Sequence, residues 1–323
     1  MDVPRADGSG RRRVFVAGAS GAIGRALVPK LVDAGHEVTA MTRTPEKADD
    51  LGALGAEPVV CDVFAREQLT RVVADARPDV VVNQLTDLPK GGLEPKKVGE
   101  YYARNNRVRR EGTDNLLAAA RAVGAGRYIG QSVAFWYDPV GPDVKSEDDP
   151  LWRDAPPPIG EAIDALKQSE DAVVDADDVD GIVLRYGTFY GPGTWYSPDG
   201  EIARQMRKRR YPLIGDGRGY TSFIHVDDAA AACVAAVERG ERGVYNAVDD
   251  EPAKAREWMP VFATAVGAKP PRRVPVRLAR LLAGKAIVEW STRCPGASNE
   301  KIKRELGWSP RHATWRRGFD AIR

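Results

Sequence analysis

Short apolar runs alternate with amphipathic stretches from Arg13 to about Tyr186. Val14 to Ala17, Val38 to Met41, Glu57 to Cys61, Asp79 to Asn83, Arg127 to Gln131 and Gly181 to Leu184 read as strands. Helical periodicity fills the intervals. It is clearest over Asn105 to Val123, where Leu116, Leu117, Ala120 and Val123 fall on one face. Repeated βα units with short connections predict a parallel sheet covered on both sides, with a ligand beyond the C-terminal strand ends.

The first unit carries the strongest chemical signal. The apolar run Val14 to Ala17 stops at Gly18, and Gly21 and Gly24 then open a helix bearing Ala26, Leu27, Leu31 and Val32. The spacing is G-x-x-G-x-x-G. Glycines there permit a tight turn, close approach of a diphosphate to backbone N–H groups, and close packing of helix on strand. Gly18, Ser20, Gly21, Ala22, Ile23 and Gly24 are therefore candidate cofactor residues. The second strand ends in Thr42 and Arg43, with Lys47 a turn further on, where an NAD site usually carries an acid. A guanidinium can grip a 2′-phosphate through paired hydrogen bonds, so the expected cofactor is NADP rather than NAD. Asp62 and Val63 follow the third strand, and Asn83, Gln84 and Thr86 the fourth, adding polar and small groups at the same sheet edge.

Composition narrows the class. With 323 residues, 43% of them hydrophobic, the chain can bury a large core. Lys+Arg 48 against Asp+Glu 46 leaves a formal +2, a balance that calls for neither nucleic acid nor an anionic membrane. The basic run Arg207 to Arg210 reads as a solvated helix face. Cys61, Cys233 and Cys294 are far apart and without C-x-x-C, so neither a disulfide framework nor a metal site is indicated, and a cytoplasmic setting is expected. Residues 1–12 lack a signal-peptide core and read as a disordered leader; no run is long enough to span a bilayer.

Several separated motifs occur in one order: GASGAIG, CDV after the third strand, EGTDNLLAAARAVG (Glu111 to Gly124), LRYGTFYGPGT (Leu184 to Thr194), IGDG (Ile214 to Gly217), FIHVDDAA (Phe223 to Ala230) and KRELGWSP (Lys303 to Pro310). From Arg13 onward the chain resembles the extended short-chain dehydrogenase/reductase superfamily, in its NAD-dependent epimerase/dehydratase branch. The resemblance implies an α/β fold, a Rossmann-type doubly wound parallel sheet with a smaller C-terminal α/β substrate domain. It places the NADP-binding domain at residues 13–190, with 223–247 returning to it, and the substrate domain at 191–222 and 248–323. It adds Tyr186 and Gly187 to the cofactor contacts and implies a homodimer built on the helices around Asn105 to Val123 and Ala162 to Val174.

At the catalytic positions the chain departs from the family pattern. Family members usually carry Tyr-x-x-x-Lys on the helix before the sixth strand, and a Ser or Thr ending the fifth. The matching helix reads GEAIDALKQSED, where Lys167 takes the lysine position, as a catalytic and cofactor contact, but Ile163 stands where the tyrosine would be. An isoleucine exchanges no proton. Ser132 is the candidate serine, although alignment on Tyr137 puts Val133 there. Tyr137 and Tyr190 are candidate replacement acids.

Phe135, Trp136, Trp195 and Tyr196, with Tyr137 and Tyr190, are expected to line one pocket for a flat, partly apolar small molecule. Thr221 and Ser222 precede Phe223 where nucleotide-sugar members have Arg-Asp, which argues against such a substrate, with Arg293 as a substitute cation. The expected function is an NADP-dependent oxidoreductase or epimerase with a non-standard proton donor. A non-redox isomerase, dehydratase or cyclase, and a silent NADP-binding sensor, are the alternatives.

Overall fold

The computed structural model describes residues 10–89, 91–92 and 97–321. Its first half alternates β1 (Arg13–Ala17), α1 (Ala22–Asp33), β2 (Glu37–Thr42), α2 (Ala48–Ala53), β3 (Glu57–Val60), α3 (Arg66–Ala76) and β4 (Val80–Asn83). There follow α4 (Val98–Arg107), α5 (Thr113–Ala122), β5 (Arg127–Val133), β6 (Val144–Lys145), α6 (Ile159–Val174) and β7 (Asp180–Tyr186). The second half contains β8 (Thr188–Tyr190), α7 (Glu201–Arg207), β9 (Leu213–Ile214), β10 (Tyr220–Thr221), β11 (Phe223–His225), α8 (Val226–Glu238) and β12 (Gly243–Ala247). The remainder is β13 (Ala253–Lys254), α9 (Ala255–Ala265), β14 (Arg273–Val274), α10 (Val276–Ala283), α11 (Lys285–Arg293), β15 (Gly296–Ala297), α12 (Glu300–Leu306) and α13 (Trp315–Ala321).

Seven parallel strands form the central sheet in the order β12-β7-β5-β4-β1-β2-β3. The near-continuous apolar composition of β1, β4 and β7 suits strands buried on both faces. One face packs on α1 and α8 through Leu27, Leu31, Ala232 and Cys233. The other packs on α3, α5 and α6 through Leu69, Leu116, Leu117 and Val173. The chain leaves β1 toward β2 in one direction and returns to β4 on its other side, so the strand order reverses between β1 and β4 and opens a crevice there.

The helix expected over Asn105 to Val123 is interrupted. A π-helical turn, Val108–Gly112, joins α4 to α5. Gly112 lies against Val63 so closely that a Cβ would sit 3.3 Å from its side chain. The buried Arg109 guanidinium reaches across to the Gln131 carbonyl at 2.8 Å. A second core lies beyond the sheet, where Tyr196, Ile202, Met206 and Leu213 pack with Trp258, Phe262, Trp315 and Phe319. Residues of 191–222 and 248–323 thus share one apolar centre.

Candidate active site

At the crevice, Gly18 adopts φ +83°, and a Cβ there would meet the Gln84 carbonyl oxygen at 2.6 Å. A Cβ on Gly24 would lie 2.4 Å from the Ala19 carbonyl oxygen, so the helix rests directly on the turn. Gly21 is the N-cap of α1, with no side-chain cap on the helix's first N–H groups. Gly21 and Ala22 are exposed, while Ile23 and Gly24 are buried toward the sheet. The result is an uncapped, twelve-residue helix whose positive end opens at the sheet edge.

Ser20 and Thr42 bridge the first two strand ends through their hydroxyls at 3.1 Å. Arg43 is exposed beyond Thr42 and pairs with Asp87 at 3.1 Å, which also lies 3.6 Å from Arg104. The Asp62 carboxylate accepts from the Phe64 N–H at 2.9 Å, and Val63 is buried with its carbonyl accepting from Asn115 at 3.1 Å. Gln84 is buried, donating to the Tyr186 hydroxyl at 3.3 Å; its Oε1 has no partner among the described residues. Thr86 is exposed at the rim, and Gly187 is buried just past β7 with its N–H on Ala247.

The predicted catalytic residues separate. Lys167 faces solvent, its side chain 61% exposed and clamped to Asp171 at 2.8 Å. The inward face of α6 carries Ile159, Ala162, Ile163, Leu166, Ser169, Glu170 and Val173. Ala162, Leu166 and Glu170 fall at intervals of four, one stripe of a helix. Ile163 lies in an apolar cluster with Ala134, Trp136, Tyr137 and Trp152. No tyrosine occurs in Ile159–Val174.

Ser132 is fully buried and its hydroxyl donates to the Glu170 carboxylate. Glu170 in turn receives Arg185 through two hydrogen bonds, of 2.9 and 2.6 Å. The same guanidinium donates to the Tyr137 hydroxyl at 2.9 Å, and that hydroxyl donates to the Asn246 side-chain carbonyl at 2.7 Å. Asn246 completes the chain by donating its backbone N–H to Glu147 at 2.7 Å. Burial pushes the Tyr137 phenol up to about 12, although Arg185 opposes the shift. Sequence reasoning missed Glu170, Arg185, Asn246 and Glu147. A signal existed: an arginine inside the apolar run of β7 requires a buried counter-charge.

Tyr190 is fully buried among Phe223, His225 and Phe319, with ring centroids at 6.2, 5.1 and 5.4 Å. Its hydroxyl has no partner among the described residues, and burial drives its pKa far above the ordinary range. Tyr196 belongs to the same interior, against Phe223, Trp258 and Phe262. Trp195 sits at its border and donates to the Pro89 carbonyl at 3.2 Å. Phe135 and Trp136 lie elsewhere, edge to face at 5.5 Å, with Trp290 against Phe135 at 6.2 Å. The aromatic residues therefore divide between two clusters instead of lining one cavity, because β8 carries Tyr190 away into the second core.

The family model described as "NAD dependent epimerase/dehydratase family" matches residues 14–247. The chain belongs to this family. It is an enzyme of the short-chain dehydrogenase/reductase type. A 3-diazoavenalumate denitrifying reductase from a Streptomyces species is 44% identical over 307 residues, 95% of this chain and 99% of the relative. Among solved structures, the human epimerase family protein with NADPH shares the fold with a TM-score of 0.73 at 20% identity, covering 97% of this chain and 98% of that one. The Thermus thermophilus UDP-glucose 4-epimerase complex with NAD gives 0.70 at 23% identity, covering 96% of each.

Within this epimerase/dehydratase chain the crevice fits a dinucleotide. The Gly18 and Gly24 contacts leave no space for side chains inside the turn, while the N-terminal amides of α1 face outward over exposed Gly21 and Ala22. Such amides suit a pyrophosphate. On α6, which packs on β5 and β7, the buried side carries Ala162, Ile163 and Leu166 within the cluster of Trp136, Tyr137 and Trp152, and none of the three can donate or accept a proton.

Proposed function

We propose that this enzyme is an NADP-dependent reductase whose substrate accepts hydride without needing a proton from the protein, and that its substrate class is an aromatic diazo carboxylate. The observation that carries the reading is the α6 stripe: Ala162 and Leu166 stand on the buried face, Lys167 is turned to solvent, and Ser132 is bound to Glu170. On this reading the family's Tyr and Lys have no counterparts at the reacting centre.

When bound, the nicotinamide supplies hydride. A carbonyl that receives hydride develops alkoxide charge and requires a donor. An aryl diazonium does not. The hydride pair becomes the new C–H bond, the C–N bonding pair departs with dinitrogen, and two electrons pass to the substrate with no proton moved. The relative's name, a denitrifying reductase of a diazo compound, supports this class. Glycine amides near Gly21 would hold the pyrophosphate. Arg43, exposed past a strand end with no carboxylate in Thr42, Arg43 or Thr44, would take the 2′-phosphate.

The test is NADPH oxidation followed at 340 nm with a diazo-bearing aromatic acid and with a panel of ketones, each against a protein-free control. Stoichiometric dinitrogen and NADP from the diazo acid, with the ketones inert, is the expected result. Turnover of ketones at comparable rates would refute the donor-free site, and absence of turnover with every substrate would turn the assignment to a non-redox reaction.

A further inference from the structure

The helix α10 presents its apolar face outward. Leu278, Leu281 and Leu282 are 47, 82 and 71% exposed, whereas Ala279 is buried. At 100° per residue the three leucines span one side of the helix, and Val276, Ala279 and Ala283 the other. Three neighbouring large apolar side chains on one solvent-facing turn are what marks an interaction site on a surface.

The surrounding charge is one-sided. Between Glu257 and Glu289 the chain has no Asp or Glu, but it has Lys269, Arg272, Arg273, Arg277, Arg280 and Lys285. Glu289 approaches two of these, Arg280 at 3.7 Å and Lys285 at 3.9 Å. Arg272, Arg273 and Arg277 make no ion pair among the described residues. The near-neutral charge of the whole chain conceals this local excess.

We infer that α10 docks reversibly on an anionic lipid surface, its leucines entering the acyl boundary and the flanking arginines and lysines meeting the headgroups. A second copy of the chain is disfavoured, because it would bring two cationic margins together. Leu281 protrudes, as insertion into a bilayer requires, whereas a groove would be needed to receive a partner helix. Away from the leucines, α10 packs on α11. Next to α10, Trp290 of α11 and then Cys294 donate to the Phe135 carbonyl at 3.3 and 3.1 Å, just past the end of β5.

The test is co-sedimentation of the full chain with vesicles of phosphatidylcholine containing 30% phosphatidylserine, and with phosphatidylcholine alone. The wild type is expected to bind the anionic vesicles at least about tenfold more tightly than the neutral ones. The doubly substituted Leu281→Glu/Leu282→Glu and the triple Arg272→Glu/Arg273→Glu/Arg277→Glu are each expected to lose at least about tenfold. Both change exposed side chains, and unaltered thermal unfolding would show that they remain folded. Equal binding to the two vesicle types, unchanged binding by either variant, or no binding at all would overturn the inference. So would a dimer that the leucine variant dissolves without any vesicle binding, or retention only on an acidic amphipathic peptide.

Discussion

Replacing Glu170 by Gln separates a structural role of the buried polar chain from a catalytic one. Arg185 and Glu170 are 8 and 5% exposed at their side chains and joined by hydrogen bonds of 2.9 and 2.6 Å, with Ser132 on the same carboxylate. Glu170→Gln leaves the guanidinium buried without a counter-charge, which costs about 3–5 kcal/mol. At no more than about 2 °C per kcal/mol, the low end for chains of 150–250 residues, the melting temperature should fall by up to roughly 6–10 °C. The double change Glu170→Leu/Arg185→Met removes both charges and should recover most of that loss. Thermal and urea unfolding of the two variants and of Ser132→Ala would be measured beside turnover at a temperature where all are folded. The expected outcome is a large stability difference with kcat within about threefold of wild type. Loss of less than 1 kcal/mol in Glu170→Gln, or a collapse of kcat in Ser132→Ala with stability intact, would refute the reasoning.

Arg43→Glu should weaken NADPH binding by about tenfold or more and leave NADH binding nearly unchanged, as read by fluorescence titration. Lys167→Ala, on the solvent face beside Asp171, should keep kcat and KM within about twofold, and a large loss would return the lysine to the reacting centre. Gly18→Ala forces a side chain into φ +83° and within 2.6 Å of Gln84, so it should cost at least about 1–3 kcal/mol and abolish dinucleotide binding. The Tyr137 phenol is raised to about 12 in the folded protein. Its contribution is therefore complete below pH about 10, where the unfolded phenol titrates, and is lost as pH rises through about 12. Stability should fall across that window by up to about 2–3 kcal/mol for this group, and Tyr137→Phe should flatten the slope.

The fold was legible because its signals are local. Gly18, Gly21 and Gly24 stand between an apolar run and an amphipathic one, and period and spacing suffice to place β1, the turn and α1. The catalytic helix was harder. Its rotation depends on which side of α6 meets the residues after β5: Ile163 faces inward, whereas Lys167, about 40° further round the helix, is already turned to solvent and held by Asp171. Only packing against Trp136, Tyr137 and Trp152 fixes that rotation. Tyr190 and Tyr196 show the same limit from another side. An aromatic residue following a sheet strand fits a pocket wall or a domain interior equally well in sequence, and here both rings are enclosed by α9 and α13. The break between α4 and α5 arises from Gly112 meeting Val63 and from Arg109 reaching Gln131, contacts between segments far apart in the chain.

The most direct measurement uses NADPH carrying deuterium at both C4 positions, with a diazo-bearing aromatic acid in ordinary water. The arene formed should carry one deuterium at the carbon that lost dinitrogen, and rates should be the same with Lys167 or Ser132 replaced. An arene whose new hydrogen comes from water, or deuterium transfer that requires either side chain, would contradict a hydride site without a proton donor.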